Sequence, residues 1–117
     1  MTDVEESRNA AANVVVLVTA PSPEKAQEIA RTLVEERLAA CVNTIGAVRS
    51  TYRWEEKVQD DVESLLVIKT RTEAFERLRA RVLSLHPYQC PEVIALPIVL
   101  GHAPYLEWLG ASVGRVS

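Results

Sequence analysis

"NVVVLVTAPSPEKAQEIARTLVEER", residues 13 to 37, decides the fold, because it joins a strand to a helix with almost nothing between them. Asn13 to Ala20 is a β-branched run of strand length, and Pro21 closes it. Ser22, Pro23 and Glu24 then start a helix. They supply a hydroxyl for a free amide, a proline where its missing donor is harmless, and a carboxylate at the positive end of the helix dipole. Ala26, Ile29, Ala30, Leu33 and Val34 recur at helical spacing, which predicts an inward stripe on a helix running to about Arg37.

Outward from this unit, "AACVNTIGAVRSTYRW" (39–54) reads as a long extended segment that Gly46 kinks or bulges. "VESLLVIKT" (62–70) is another strand. Thr72 is expected to cap a helix through about Leu85, with Phe75, Leu78, Val82 and Leu85 inward and Arg77, Arg79 and Arg81 in water. "EVIALPIVL" (92–100) is the last main strand, and "APYLEWLG" (103–110) a short helix. The order β-α-β-β-α-β, with a long hairpin between the second and third strands and a short C-terminal helix, is an α+β, ferredoxin-like sandwich. Residues 13–112 form a single domain, 1–12 a disordered leader and 113–117 a flexible tail.

A four-stranded antiparallel sheet with both helices on one side should alternate apolar and polar residues, since its second face meets water. These strands do not alternate. Val14, Val16 and Val18 oppose Val15 and Leu17, Leu66 and Ile68 oppose Leu65 and Val67, and Ile94, Leu96 and Ile98 oppose Val93 and Ala95. Leaving the second set wet forgoes about 1.5 to 3 kcal/mol per side chain, so self-association is expected to cover it.

The 117 residues carry a net charge of −3, with 48% hydrophobic and 25% charged residues and no apolar run of membrane-spanning length. The charge is wrong for a nucleic-acid backbone, and the central strands offer Val, Leu and Ile where an RNA-binding sheet needs aromatics. "MTDVEESRNAAA" does not read as a secretory signal, so Cys41 and Cys90 are expected to be free thiols in a reducing, cytoplasmic setting. No nucleophile sits beside a base, and there is no phosphate-binding glycine loop; no catalytic residue is expected and the chain reads as a non-enzyme.

"ACVN", "STYRWEEKV", "IKT" with its preceding "E", "HPYQCPEVIALPI" and "YLEW" occur in one order and spacing across residues 14–110. Together they resemble the CutA divalent-cation tolerance family. The resemblance implies a tight trimer of ferredoxin-like subunits in which the long hairpin of one subunit pairs with its neighbour, an architecture similar to the trimeric PII signalling proteins. It also implies a link to copper and other divalent cations. Copper-holding members are credited with a Cys in the first strand and two adjacent His before Pro-Tyr; here those positions are Val18, Leu85 and His86, and only the last is a ligand. At the hairpin tip, where the family has Gly, stands Glu56. Positive φ suits Glu poorly, so a loop longer than two residues, or a type I turn, is expected there.

Two sets of candidate residues follow. The first is metal-ligating: His86, Cys90 and Glu92, with Cys41 if it lies close, for copper or another divalent cation. The spacing is not that of a structural zinc site. A connector reading stands ahead of it, since Pro87 restricts His86 and Pro91 restricts Cys90 to extended geometry, giving a stiff passage from helix to strand. The second set is a ligand cleft or subunit interface: Lys69, expected to pair with Glu92, with Tyr52, Trp54, Tyr88, Tyr105 and Trp108. A PII-like module binding a small ligand between subunits is the alternative to cation tolerance. His102 is expected to be a capping or surface residue.

Overall fold

The computed structural model describes residues 12–115. The elements are β1 (Asn13–Ala20), α1 (Pro23–Glu35), β2 (Cys41–Trp54), β3 (Lys57–Arg71), a 3-10 turn (Thr72–Ala74), α2 (Phe75–Leu85), β4 (Val93–Pro97) and α3 (Ala103–Ser112). The strands form one antiparallel sheet in the order β2-β3-β1-β4, the α+β ferredoxin-like arrangement expected. Among the described residues no helix is long and apolar enough to cross a membrane.

The core lies between one sheet face and α1 and α2. Val14, Val16, Val18, Leu66 and Ile68 meet Ala26, Ile29, Leu33, Leu78 and Val82, all buried. Ser22 caps α1 as expected, its hydroxyl accepting from the Lys25 amide at 3.1 Å. Val34, expected inside, is 42% exposed: α1 ends at Glu35, and Arg37 turns the chain with φ 60°. The Arg37 guanidinium then donates to the carbonyls of Ala111 and Ser112, where α3 ends and its dipole is negative.

Other boundaries move for local reasons. The cap residue of α2 is Ala74, with no side-chain cap bond, because the 3-10 turn from Thr72 precedes the helix. β4 stops at Pro97, which has no amide for the ladder, so only one further bond, Ile98 N–H to the Asn13 carbonyl, follows the expected strand. Val113 is buried and the Gly114 amide donates to the Arg37 carbonyl, so packed chain continues past 112. Apart from Ala12, the expected leader lies outside the described residues, as do 116–117 of the tail.

The hairpin tip corrects the sequence expectation. Trp54 pairs with Lys57, leaving a two-residue turn with Glu55 at φ 51° and Glu56 at φ 64°. Both glutamates take the left-handed conformation that type I′ turns require, because that turn's twist matches the strands it joins. Strand pairing imposes what the side chains disfavour. The hairpin projects, and the long axis of the molecule reaches 50 Å against 29 and 24 Å across.

Gly46 and Ala47 form the expected bulge. Ile45 pairs with Leu65, but the next pair is Val48 with Glu63, so β2 carries one extra residue, and Ala47 takes φ 58°. That residue reverses the parity of β2. Cys41, Asn43 and Ile45 lie on the face away from the helices, and beyond the bulge the same face carries Val48, Ser50, Tyr52 and Trp54. Without it Thr51 and Arg53 would lie there instead.

Candidate functional site

The site is built around the passage from α2 to β4. Pro87 holds His86 extended, at φ −84° and ψ 135°, and α2 stops at Leu85. The His86 ring is buried and both its nitrogens are engaged. Nε2 donates to the Thr19 carbonyl at 2.7 Å, and Nδ1 accepts the Tyr88 amide at 3.2 Å. A carbonyl can only accept and an amide can only donate, so this geometry requires the neutral ring with its proton on Nε2. The His86 and Tyr88 rings lie 4.6 Å apart, tilted.

Tyr88 reaches across to β3, where its hydroxyl donates to Glu63 Oε2 at 2.7 Å. Glu63 is 7% exposed. One diagonal step along the hairpin, the Tyr52 hydroxyl donates to the Asp61 carboxylate. Burial, followed by the hydrogen bond to Glu63 and the charges of Glu63 and Asp61, pushes the Tyr88 phenol far above its ordinary value. Tyr52 is raised too, chiefly by its bond to Asp61. Each phenol is thereby held in its protonated form.

These groups border an open concavity of about 930 Å³ between the hairpin and the passage. Of the candidate residues, Tyr52, Trp54, Tyr88, Cys90 and Glu92 line it. Asp61, Glu63 and Thr19 are among the other residues of the wall, and sequence reasoning did not single them out. Strand period held the signal: Asp61 and Glu63 share parity with Leu65, Val67 and Lys69, which places all five on the face away from the helices.

The remaining candidates lie elsewhere. Cys41 pairs with Lys69, which pairs with Val15, four residues along the sheet from the Thr19 end, or about 13 Å. Cys41 therefore does not join His86, Cys90 and Glu92 within this subunit. Lys69 donates to Asn43 Oδ1 on the neighbouring strand and makes no bridge to Glu92. The expected pair fails on register, because β4 begins with Val93 opposite Val18 while Lys69 lies opposite Val15. Tyr105 and Trp108 stack at 5.4 Å on α3, and the Tyr105 phenol is raised by burial and by nearby Cys41. His102 is the exposed N-cap residue of α3, without a side-chain cap bond. Among the described residues no group of three or more His, Cys, Asp and Glu side chains is placed to hold a metal ion.

Comparison with known proteins assigns the lineage. The profile of the CutA1 divalent ion tolerance protein matches residues 14–112. The chain belongs to the CutA family. Among its CutA relatives, the divalent-cation tolerance protein of Thermus thermophilus is 54% identical over 100 residues, covering 86% of this chain and 97% of that one. The solved CutA1 structure from Oryza sativa has a TM-score of 0.87 at 46% identity, covering 89% of this chain and 95% of its own. A chloroplastic CutA of Arabidopsis thaliana is 49% identical over 106 residues, where the match spans 91% of this chain and 58% of the other. CutA proteins are thus found beyond a single compartment, and the fold observed here is the CutA fold.

Proposed function

We propose that this CutA subunit acts as a cytoplasmic, non-enzymatic homotrimer in tolerance to divalent cations, copper among them. The observation that carries the assembly is the face of the sheet turned away from the helices. Val15, Leu17, Leu65 and Val67 are only partly covered there, and Ile45, Ile94 and Leu96 are 48%, 50% and 51% exposed. Monomeric soluble proteins seldom leave so continuous an apolar surface in water, and sister copies are the occupant that the family resemblance supplies. Mass in solution by sedimentation tests it: a trimer supports the reading, and a dilute, cooperatively melting monomer overturns it.

The reading as a non-enzyme is supported by the chemistry of the concavity. His86, the histidine nearest Cys90 in sequence, is not free to serve it as a base, since both its ring nitrogens are committed. For a divalent cation the concavity presents Cys90 and Glu92 as outward donors, with His86 added only if it releases the Tyr88 amide. So few donors suit a transient metal better than a structural one, which takes four protein ligands. Titration of Cu(II) and Zn(II) into wild type, Cys90→Ser and His86→Ala by calorimetry tests this: loss of binding in Cys90→Ser supports the site, and equal binding by all three removes it.

The concavity itself favours a second reading, a PII-like module that binds a small ligand and reports it to a partner. A nucleotide-selective response in a thermal-shift screen, with none to metals, would establish that reading over the first.

A further inference from the structure

We propose that Asp3, Glu5 and Glu6, in the chain's own N-terminal segment, dock on a cluster of arginines, Arg37, Arg71, Arg77 and Arg115, at the end of the molecule opposite the long hairpin. The inference goes beyond the tolerance reading and does not rest on it.

The cluster is assembled from four separate parts of the chain. Arg37 follows α1, Arg71 ends β3, Arg77 lies on α2 and Arg115 follows α3. They meet where the chain leaves α3. Arg37 donates to the carbonyls of Ala111 and Ser112 at 3.0 and 3.4 Å, and Arg77 to the carbonyl of Gly114 at 2.9 Å. Arg71 and Arg115 share the Glu73 carboxylate, at 2.8 and 3.9 Å. Arg71 pairs with Asn13 at the start of β1, whereas the hairpin extends beyond the Ala20 end. Arg37 and Arg77 belong to the helix layer. The site therefore needs neither the hairpin nor the apolar sheet face to be uncovered.

Charge is the first argument. Among the described residues, Glu73 is the one carboxylate in ion pairs with these four guanidinium groups. The carboxylates of Glu35, Glu36 and Glu76 are bound to other arginines, Arg31, Arg81 and Arg79. The backbone carbonyls orient Arg37 and Arg77 but bring no net charge to offset theirs. Each guanidinium carries five donors in a planar fork that suits a carboxylate, so the cluster keeps donors as well as charge. It is a concentration of positive charge in a chain whose net charge is −3.

The second argument is the occupant. The Ala12 carbonyl accepts the Thr72 amide at 2.7 Å, so the chain enters β1 beside Arg71 and Glu73. The residues before Ala12 include Asp3, Glu5 and Glu6 against one basic residue, Arg8. From Ala12 back to Glu6 the extended backbone spans about 20 Å, and the Arg71, Glu73 and Arg115 side chains begin at the point of entry. Docking of a tethered segment is intramolecular, at an effective concentration of about millimolar, which lets individually weak ion pairs act together. An external acidic peptide has no such advantage.

The test uses the isotope-labelled full chain and backbone relaxation by nuclear magnetic resonance, in about 20 mM and about 500 mM sodium chloride. At low salt the amides of Asp3 to Glu6 are expected to show order parameters above about 0.6, with loss of that order at high salt. Asp3→Asn, Glu5→Gln and Glu6→Gln together should abolish the order at low salt, and this variant leaves residues 12–115 untouched. Arg77→Gln with Arg115→Gln should do the same while the amide signals of the strands stay dispersed. Order parameters below about 0.6 at low salt, or equal values in wild type and the neutralised segment, overturn the proposal. Sodium tripolyphosphate is titrated in parallel. If it shifts the Arg77 and Arg115 side-chain signals while those of Asp3 to Glu6 stay unchanged, the cluster serves an external anion and the proposal falls.

Discussion

The Tyr88 hydroxyl donates to the buried Glu63 carboxylate at 2.7 Å, tying the passage after α2 to the middle of β3. The passage is secured at its other end by His86 on the Thr19 carbonyl of β1. It is therefore anchored to two strands before β4 begins.

Tyr88→Phe leaves the Glu63 carboxylate buried without its donor. Unfolding in urea is expected to show a loss of about 1 to 3 kcal/mol relative to wild type. A loss below about 0.5 kcal/mol would mean that water replaces the hydroxyl freely and that the bond anchors nothing.

The phenols of Tyr52, Tyr88 and Tyr105 are all raised. A raised acid contributes stability that is complete below its unfolded value, about 10 for tyrosine, and that is lost as pH climbs from there towards the folded value. The unfolded chain releases its protons first. Tyrosinate absorbance should therefore develop at higher pH in the folded protein than in urea, with stability falling above about pH 10. Tyr88→Phe should remove the last fraction to ionise. Coincident titrations in native and unfolded protein would contradict the geometry.

At the hairpin tip, Glu55→Asn together with Glu56→Gly replaces two left-handed glutamates by residues that tolerate that conformation. The pair is expected to stabilise the protein by about 1 to 2 kcal/mol, read as a higher urea midpoint with the slope unchanged. A lower midpoint would show that the glutamate side chains contribute more at the tip than their backbone strain costs.

Leu96→Lys places a charge on the uncovered face, on the edge strand β4, at a residue already 51% exposed in the subunit. Within one subunit it should cost little. In solution it is expected to shift the sedimentation profile from assembled to single subunits while far-ultraviolet circular dichroism stays unchanged. An assembly of unaltered mass would place the contact between copies elsewhere.

Much of the architecture was legible in neighbouring residues. The cap at Ser22, the stop imposed by Pro87 and the bulge at Gly46 and Ala47 are local matters, and each is found where the residues indicated. The candidate site was legible in part. Tyr52, Trp54, Tyr88, Cys90 and Glu92 come together, whereas Cys41 and Lys69 lie at the other end of the sheet. Glu63 closes the polar run "VQDDVE" (58–63), yet it is buried and bonded to Tyr88, a contact between residues 25 positions apart.

Element order, the Ser22 cap and the two-sided apolar strands were determined by the sequence alone, since propensity and periodicity act within a few residues along the chain. Which carboxylate meets which phenol was decided only in three dimensions. One extra residue in β2 reverses the parity of everything after it, and strand register is set by the fit of the whole sheet. The same holds at the tip, where the twist of two long strands overrides the preference of Glu55 and Glu56.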